Sequence, residues 1–315
     1  MQRAMDLAIV IVSYNTCQLT VNCLASAYED LARCNLQGHI WVVDNASADG
    51  SADRIAADFS QATLIRNEQN MGFAAATNLA LEHIRRQPES PRHVLLLNPD
   101  TIVCPNALKH MVCFLDTHPR VGVVGAQLTY GDGRFQHGAF RFPTLWMTFF
   151  DFWNINHRLL GSRLNGRYPR RLYEAGQPFA IDHPLGAAMM VRWDVIEEVG
   201  PLDTGYFMYC EEIDWCLRIK RAGREIYCVP QARIVHLAGQ STQQFRDEMF
   251  IALWRSRYRL FEKHYSLWYR RASRFIVRAG LKWRMKQLRQ ERAHGNIPLA
   301  EAERRLAAYR TVMEM

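Results

Sequence analysis

The stretch HVLLLNPDTIV, residues 93–103, runs through four consecutive apolar residues, Val94 to Leu97, and then through Asn98, Pro99, Asp100 and Thr101. A short apolar run bounded by turn formers reads as a strand buried on both faces. Its ending in a carboxylate beside a proline has two explanations. Asn, Pro and Asp build ordinary turns, so a plain connection accounts for them. A ligand site at the carboxyl end of a parallel sheet accounts for them as well.

The same pattern recurs on the N-terminal side. LAIVIVSYN (7–15) is a buried strand ending in Ser13, Tyr14 and Asn15, and HIWVVDNAS (39–47) is another, ending at Asp44 and Asn45. ATLIRN (62–67) is a short third strand. Helical spacing fills the gaps. One helix runs roughly from Cys17 to Cys34, a second starts at Ser51 as its expected N-cap, and an Ala-rich third opens at Gly72 in GFAAATNLALEHIRR. The alternation βαβαβαβ predicts a parallel sheet with helices on both faces. Three of the four strands end in polar residues: Asn15, Asp44 and Asp100. One polar strand end is a turn; three along one sheet edge make a site.

Beyond Val121 come further strands and a Gly-rich hairpin near Gly131–Gly133, then an aromatic stretch from Phe140 to Trp153. That stretch reads either as the core of a subdomain or as a lid facing an acceptor or a membrane. Residues 155–180 are polar, basic and irregular, the composition of a loop. HPLGAAMMVRWDVIEEVGPLD (183–203) gives a strand and a helix stopped by Gly200-Pro201. YFMYCEEIDWCLRIKRAGREIYCVP (206–230) gives an acidic turn, an amphipathic helix to Arg221 and another strand. ARIVHLAGQST then sets His236 after a strand, and Phe245 to Leu288 has the spacing of long helices.

The bulk numbers bound the class. Hydrophobic residues make up 49% and charged residues 22% of 315, ordinary for a globular protein. No apolar run approaches the ~18 residues of a membrane span, and the N-terminus begins a strand rather than a signal peptide. The eight cysteines form no CxxC pair, which suits reduced core thiols in a cytoplasmic protein. The net charge is +8, and 13 of the 39 Lys and Arg fall between Arg255 and Arg292. Arg, Lys, Trp and Tyr interleaved there suit an anionic membrane surface or a solvated face of a packed helix. No nucleic-acid module accompanies the charge, so no nucleic-acid partner is expected.

Asp44, Asp100, the run Glu211-Glu212-Ile213-Asp214 and His236 are the candidate chemistry. Carboxylates and a late His at strand ends suit a hard divalent cation, Mg²⁺ or Mn²⁺, with a phosphate-bearing substrate. After the first strand no GxGxxG follows, which disfavours a dinucleotide oxidoreductase. There is neither a P-loop nor a GxSxG elbow. A nucleotidyltransferase would want a basic, Gly-rich loop there, and Ser13-Tyr14-Asn15-Thr16 is not one.

Seven pieces in order, IVIVSYNT, VVDNASADGS, NEQNMGFAAATNLAL, LLLNPDT, GAAMMVRWDVIEEVGPLD, FMYCEEIDWCLRIKRAG and VPQARIVHLAGQST, resemble the family 2 glycosyltransferases of the GT-A fold, in their rhamnosyltransferase-like branch. The resemblance spans about residues 8–242. It implies a Rossmann-like mixed α/β sheet with helices on both faces, as a catalytic domain over 1–242. Residues 1–125 would be its nucleotide-binding half and 126–242 its acceptor half, with 243–315 a basic, aromatic helical extension. It also implies an inverting transfer from a nucleotide-sugar, dTDP-L-rhamnose or a UDP-sugar, to a saccharide or lipid-linked acceptor in cell-surface polysaccharide synthesis. Asp44 would bind the pyrimidine base. Ser13, Asn15, Asn45, Asn70, Gly72, Phe73, Asn78 and Asn98 would line the donor pocket. NPD resembles the DxD motif, with Asp100 and His236 as metal ligands for Mg²⁺ or Mn²⁺. The base would be Glu212, where the family usually has Asp, with Glu211 and Asp214 as rivals and helix capping as another role for Asp214. The Glu at this position also leaves open a catalytically silent sugar-nucleotide-binding or assembly protein. A lipid-linked acceptor implies a cytoplasmic protein, or one peripheral at the inner face of the membrane.

Overall fold

A computed structural model of the chain describes residues 5–153, 157–237 and 246–315. The motif residues 238–242 and the expected helix start at Phe245 lie outside the described residues. The chain divides into two compact units. One comprises residues 1–141, 168–207 and 211–241; the other comprises 142–167, 208–210 and 242–315. The stretch 142–167 thus groups with the C-terminal segment rather than with the sheet.

The first unit is built on a sheet that opens with the expected alternation. Its elements run β1 (Leu7–Ser13), α1 (Cys17–Arg33), β2 (Gly38–Asp44), α2 (Ser51–Asp58), β3 (Thr63–Arg66), α3 (Phe73–Arg85), β4 (His93–Leu97), β5 (Thr101–Val103), α4 (Ala107–Thr117) and β6 (Val121–Thr129). Every residue of β1 and β4 is buried, as their unbroken apolar runs predict. Each fully buried Ile, Leu or Val in them contributes about 1.5–3 kcal/mol through removal of apolar surface from water. Ser51 is not the N-cap of α2. Gly50 takes that position in the left-handed region, and Asp49 Oδ1 accepts from the Ser51 N–H at 3.0 Å. The N-terminus of α4 is capped from α1, because Asp30 accepts from the N–H groups of Asn106 (2.5 Å) and Leu108 (2.9 Å).

After β6 come β7 (Phe135–Gln136) and β8 (Ala139–Phe140). α5 (Leu145–Phe150) and α6 (His157–Leu160) follow in the other unit. The chain returns to the sheet unit with α7 (Arg170–Glu174), β9 (Phe179–Ala180), β10 (His183–Pro184), β11 (Ala188–Arg192), α8 (Trp193–Val199), α9 (Glu211–Arg221) and β12 (Glu225–His236). The polar region 155–180, expected as a loop, therefore holds short helices, with Tyr168 and Tyr173 buried.

Among the described residues the main sheet has the order β3-β2-β1-β4-β11-β6-β12-β5, with β7 on β6 and β9 on β12. The β3-β2-β1-β4 half is parallel, while β11 runs antiparallel to both β4 and β6. The sheet is therefore mixed. In register, Ser13 stands beside Asp44 at the carboxyl edge. β12 shifts register between Val229 and Arg233, where Pro230 has no N–H to give the ladder. Past that bulge β12 also pairs with β5, and His236 falls opposite Thr101. The bulge thus carries His236 to the NPD turn.

The second unit contains α5, α6, α10 (Arg246–His264), α11 (Leu267–Ala293) and α12 (Leu299–Glu314). Its core includes Trp254, Phe261, Val277, Leu281 and Leu306. The aromatic stretch packs here as core: Phe152 stacks on Trp254 with centroids 5.4 Å apart, and Phe149 stacks on Trp153 at 4.8 Å. A Cβ at Gly280 would lie 2.2 Å from Phe152 Cγ, so only glycine lets α11 pass this ring. Arg257 pairs with Asp151, whose carbonyl also accepts from Arg284. Among the described residues no helix is long and apolar enough to cross a membrane. The eight cysteines are free thiols; Cys23 and Cys216 are buried and Cys17 is half-buried.

Candidate active site

The carboxyl edge of β1, β2 and β4 gathers most of the predicted residues. Asp44 ends β2 and is buried. Its Oδ2 accepts from the Ser47 N–H at 3.1 Å, whereas its Oδ1 has no hydrogen-bond partner among the described residues. Asn15, just past β1, holds a left-handed backbone (φ 53°). Its N–H donates to Ser47 Oγ (3.0 Å) and its Oδ1 accepts from the Ala48 N–H (2.8 Å). Cys17 N–H donates to Asp49 Oδ2 at 2.9 Å, so the loops after β1 and β2 are laced together.

Several residues expected to line the donor pocket are tied by hydrogen bonds to their neighbours. Ser13 is fully buried, its hydroxyl bonded to those of Thr16 (3.1 Å) and Thr20 (3.0 Å). Asn45 is buried too. Its Nδ2 donates to Asn70 Oδ1 (2.8 Å), and its Oδ1 accepts from Asn67 Nδ2 (2.9 Å) and the Met71 N–H (3.1 Å). Asn70 Oδ1 also accepts from the Gly72 N–H at 3.0 Å. Asn78 binds the N–H and C=O of Leu202, stapling α3 to the turn after α8. Gly72 has φ 80° and ψ 173°, and a Cβ there would stand 2.3 Å from the Phe207 carbonyl oxygen. The next residue, Phe73, donates its N–H to that same oxygen at 2.8 Å. Together these bonds hold the loop 67–73 against Asn45 and Phe207.

Asp100 is buried just past β4, about two strand spacings, or roughly 10 Å, from the line of β2. His236 Nε2 lies 3.4 Å from Asp100 Oδ1, without hydrogen-bond geometry, so that oxygen also has no hydrogen-bond partner among the described residues. The other ring nitrogen of His236, Nδ1, faces Gln136 of β7, with Nε2 at 3.1 Å and Oε1 at 3.3 Å. An unpartnered buried carboxylate oxygen facing an imidazole nitrogen held from behind is a donor set that fits a divalent cation. Among the described residues no third His, Cys, Asp or Glu joins them. Gln136 was missed by the sequence reading, and so were Asn67 and Asp49. A lone Gln in a two-residue strand carries no sequence signal for a ligand's second partner.

The acidic turn separates its three carboxylates by environment. Asp214 is fully buried in the first turn of α9 and bound to Arg218 Nε at 2.9 Å. Arg218 also donates to the carbonyls of Val199 (2.9 Å) and Pro201 (2.7 Å), so this pair fastens α9 to the turn after α8. Glu211 is buried, and its Oε2 has no hydrogen-bond partner among the described residues. Burial, and next the charge of Glu212, push its carboxyl well above the usual range. Glu212 is half-buried as a residue, with its Oε2 atom buried. A Cβ on Gly186 would stand 3.7 Å from Glu212 Cγ, and the adjoining Ala187 carbonyl accepts from the Asn98 N–H at 2.9 Å. One short turn thus touches both the NPD segment and Glu212.

Such an edge, with two buried carboxylates carrying an open oxygen and a third one half-exposed, is suited to a diphosphate donor and a proton acceptor. Residues 8–199 match the family described as glycosyl transferase family 2. The chain belongs to that family.

Among curated relatives, this family 2 glycosyltransferase is 25% identical to N-acetylglucosaminyl-diphospho-decaprenol L-rhamnosyltransferase of Mycobacterium tuberculosis, over 78% of this chain and 81% of that one. It is 28% identical to rhamnosyltransferase WbbL of Escherichia coli, over 57% of this chain and 66% of that one. The transferase also superposes on mannosyltransferase PcManGT from Pyrobaculum calidifontis, solved with GDP-Man and Mn²⁺. That match has a TM-score of 0.57 and 17% identity, and it covers all of this chain and 84% of that chain. At that identity the superposition shows the fold, a GT-A architecture.

Proposed function

We propose that this transferase moves L-rhamnose, with inversion, from dTDP-L-rhamnose to a saccharide carried on a polyprenyl diphosphate, in cell-surface polysaccharide synthesis. The acceptor class is N-acetylglucosaminyl-diphospho-polyprenol, on the similarity to the mycobacterial rhamnosyltransferase. The observation that carries the reading is the pair of buried carboxylates, Asp44 and Asp100, on one sheet edge, each with an oxygen lacking a hydrogen-bond partner among the described residues. Asp44 Oδ1 would accept from the base N–H, and the wall formed by Asn15 and residues 67–73 would orient the nucleoside. Asp100 and His236 would hold Mg²⁺ or Mn²⁺, which, when bound, offsets charge on the diphosphate as a Lewis acid.

Glu212 is the general base in this reading. It takes the proton of the acceptor hydroxyl as that oxygen attacks the anomeric carbon. The bond from that carbon to the diphosphate oxygen breaks, and dTDP leaves with the electron pair. Burial, and next the charge of Glu212, raise the Glu211 carboxyl and favour its protonated form, which makes it the weaker candidate in this reading. Asp214 is committed to Arg218. A lipid-carried acceptor would place the protein at the inner face of the cell membrane, as a peripheral enzyme.

The test is transfer of radiolabelled rhamnose from dTDP-L-rhamnose to a short-chain prenyl-diphosphate N-acetylglucosamine in the presence of Mn²⁺. Labelled product extracted into organic solvent is expected. No transfer with this donor, alongside transfer from a UDP-sugar, would overturn the donor assignment. Thermal stabilisation by a nucleotide-sugar with no turnover on any acceptor would favour a silent binding protein.

A further inference from the structure

The helix α11 has two faces of opposite character. One is buried in its own unit and carries Ser273, Val277, Gly280, Leu281 and Leu288. The other carries Trp268, 70% exposed, and Phe275, 75% exposed. They are seven residues apart, two helical turns, and so lie on one line. Arg271, Arg278, Lys282 and Lys286 fall along the same stripe and are exposed. None of these four cations pairs with a carboxylate among the described residues, in contrast to Arg270 and Arg274, which both reach Glu262 (3.4 and 3.0 Å). Leu267 (55% exposed) and Trp283 (39%) flank the stripe. Glu291 is the only acidic residue in the sequence of α11. From Trp268 to Lys286 the stripe is about 27 Å long.

A helix face serving only as a solvated surface has no use for a Trp and a Phe that are three-quarters exposed. A protein partner would have to neutralise four unpaired cations and cover two separated rings along a straight line. An anionic lipid surface does both, since headgroups meet the cations and the rings settle at the acyl boundary. From this charge complementarity we infer that the Trp268–Lys286 face of α11 docks on an anionic lipid bilayer, lying parallel to its plane. The inference deepens the reading of a lipid-carried acceptor. It names the surface that would bring the enzyme to such an acceptor.

The experiment is flotation of the full chain with vesicles of phosphatidylcholine alone or mixed with phosphatidylglycerol, without donor or acceptor. Binding to the mixed vesicles, its loss in high salt, and little binding to neutral vesicles are expected. Each cation reversed should weaken partitioning by fivefold or more, as about fivefold is what removal of one surface charge costs. Arg271→Glu with Lys282→Glu should therefore abolish flotation. Trp268→Ser with Phe275→Ser should lower it about tenfold or more. All four positions are exposed, so these variants should melt like the wild type. Arg120→Glu, a change at an 85%-exposed side chain of the sheet unit, should float normally. Failure of the intact chain to float at low salt, equal flotation with neutral vesicles, or wild-type flotation of both α11 variants would overturn the inference. Because no sugar is transferred in this assay, its failure leaves the proposed reaction standing, and failure of the transfer assay leaves the docking surface standing.

Discussion

Replacing Glu212 by Gln keeps the size of the side chain and removes its proton-accepting charge. General-base catalysis contributes about 10²–10⁴-fold, equivalent to about 2.7–5.5 kcal/mol of transition-state stabilisation. The kcat of Glu212→Gln should fall by that factor. Donor affinity should hold, because donor contacts are assigned to other elements. Asp214→Asn should behave in the opposite way. Asp214 is fully buried and Arg218 is 20% exposed, with 2.9 Å between them. Breaking a buried pair costs about 3–5 kcal/mol. Asn retains an acceptor oxygen, and Arg218 keeps its carbonyls at Val199 and Pro201, so the loss should be nearer 2–3 kcal/mol. At about 2–4 °C per kcal/mol for a chain of this size, Tm should fall by roughly 5–10 °C. The assays are steady-state kinetics with varied donor and a thermal melt of each variant. An Asp214→Asn enzyme with normal Tm and lost kcat, beside an active Glu212→Gln enzyme, would refute the assignment.

Gln136→Leu should weaken Mn²⁺ binding, read by calorimetry on the free protein, by about 10–100-fold, the usual effect of losing a ligand's outer partner. Asp100→Ala should weaken it at least as much; unchanged affinity in Asp100→Ala would remove the metal site, and in Gln136→Leu alone would remove only the positioning role. Glu211→Gln should become more stable relative to wild type as pH rises. A raised carboxyl in the folded state means the folded chain binds more protons than the unfolded one, from the ordinary carboxylate value of about 4.3 up to the raised value, and wild-type stability falls through that window. Parallel melting curves for the two proteins from pH 5 to pH 8 would contradict this. Gly72→Ala should cost about 3 kcal/mol or more, because φ 80° and ψ 173° suit glycine almost alone and the added Cβ meets the Phe207 carbonyl at 2.3 Å; a wild-type Tm would show that the contact yields.

The nucleotide half was legible because its signals are local. Unbroken apolar runs at 7–12 and 94–97 specify buried strands whatever surrounds them, and helical spacing between them leaves few topologies open. What lay beyond the sequence was pairing over long distances. Nothing local in AMMVR says that β11 inserts antiparallel between β4 and β6. The same holds for the aromatic stretch from Phe140 to Trp153, whose composition suits a core or a lid alike, and whose rings Phe152 and Trp153 find partners on α10 and α11 more than a hundred residues away. The N-cap at α2 was misplaced by one residue because Ser51 and Gly50 both fit a helix start. The choice depends on Asp49, whose side chain already accepts from the Ser51 N–H.

Residue type alone cannot rank the carboxylates of Glu211-Glu212-Ile213-Asp214, because all three can accept a proton. Burial ranks them. The turn before α9 sets two consecutive non-glycine residues, Tyr209 (φ 69°) and Cys210 (φ 66°), in the left-handed region, at a cost of about 1–2 kcal/mol each. Such strain persists only where the surrounding structure over-determines it. Here it fixes the phase at which α9 begins. That phase turns Glu211 and Asp214, three apart, inward, and leaves Glu212 half-exposed beside Gly186. A start shifted by one residue would rotate the helix by about 100° and change which of these carboxylates is buried. In the proposed reading, the carboxylate that serves as base is therefore set by the backbone angles that place the start of α9 as much as by residue type.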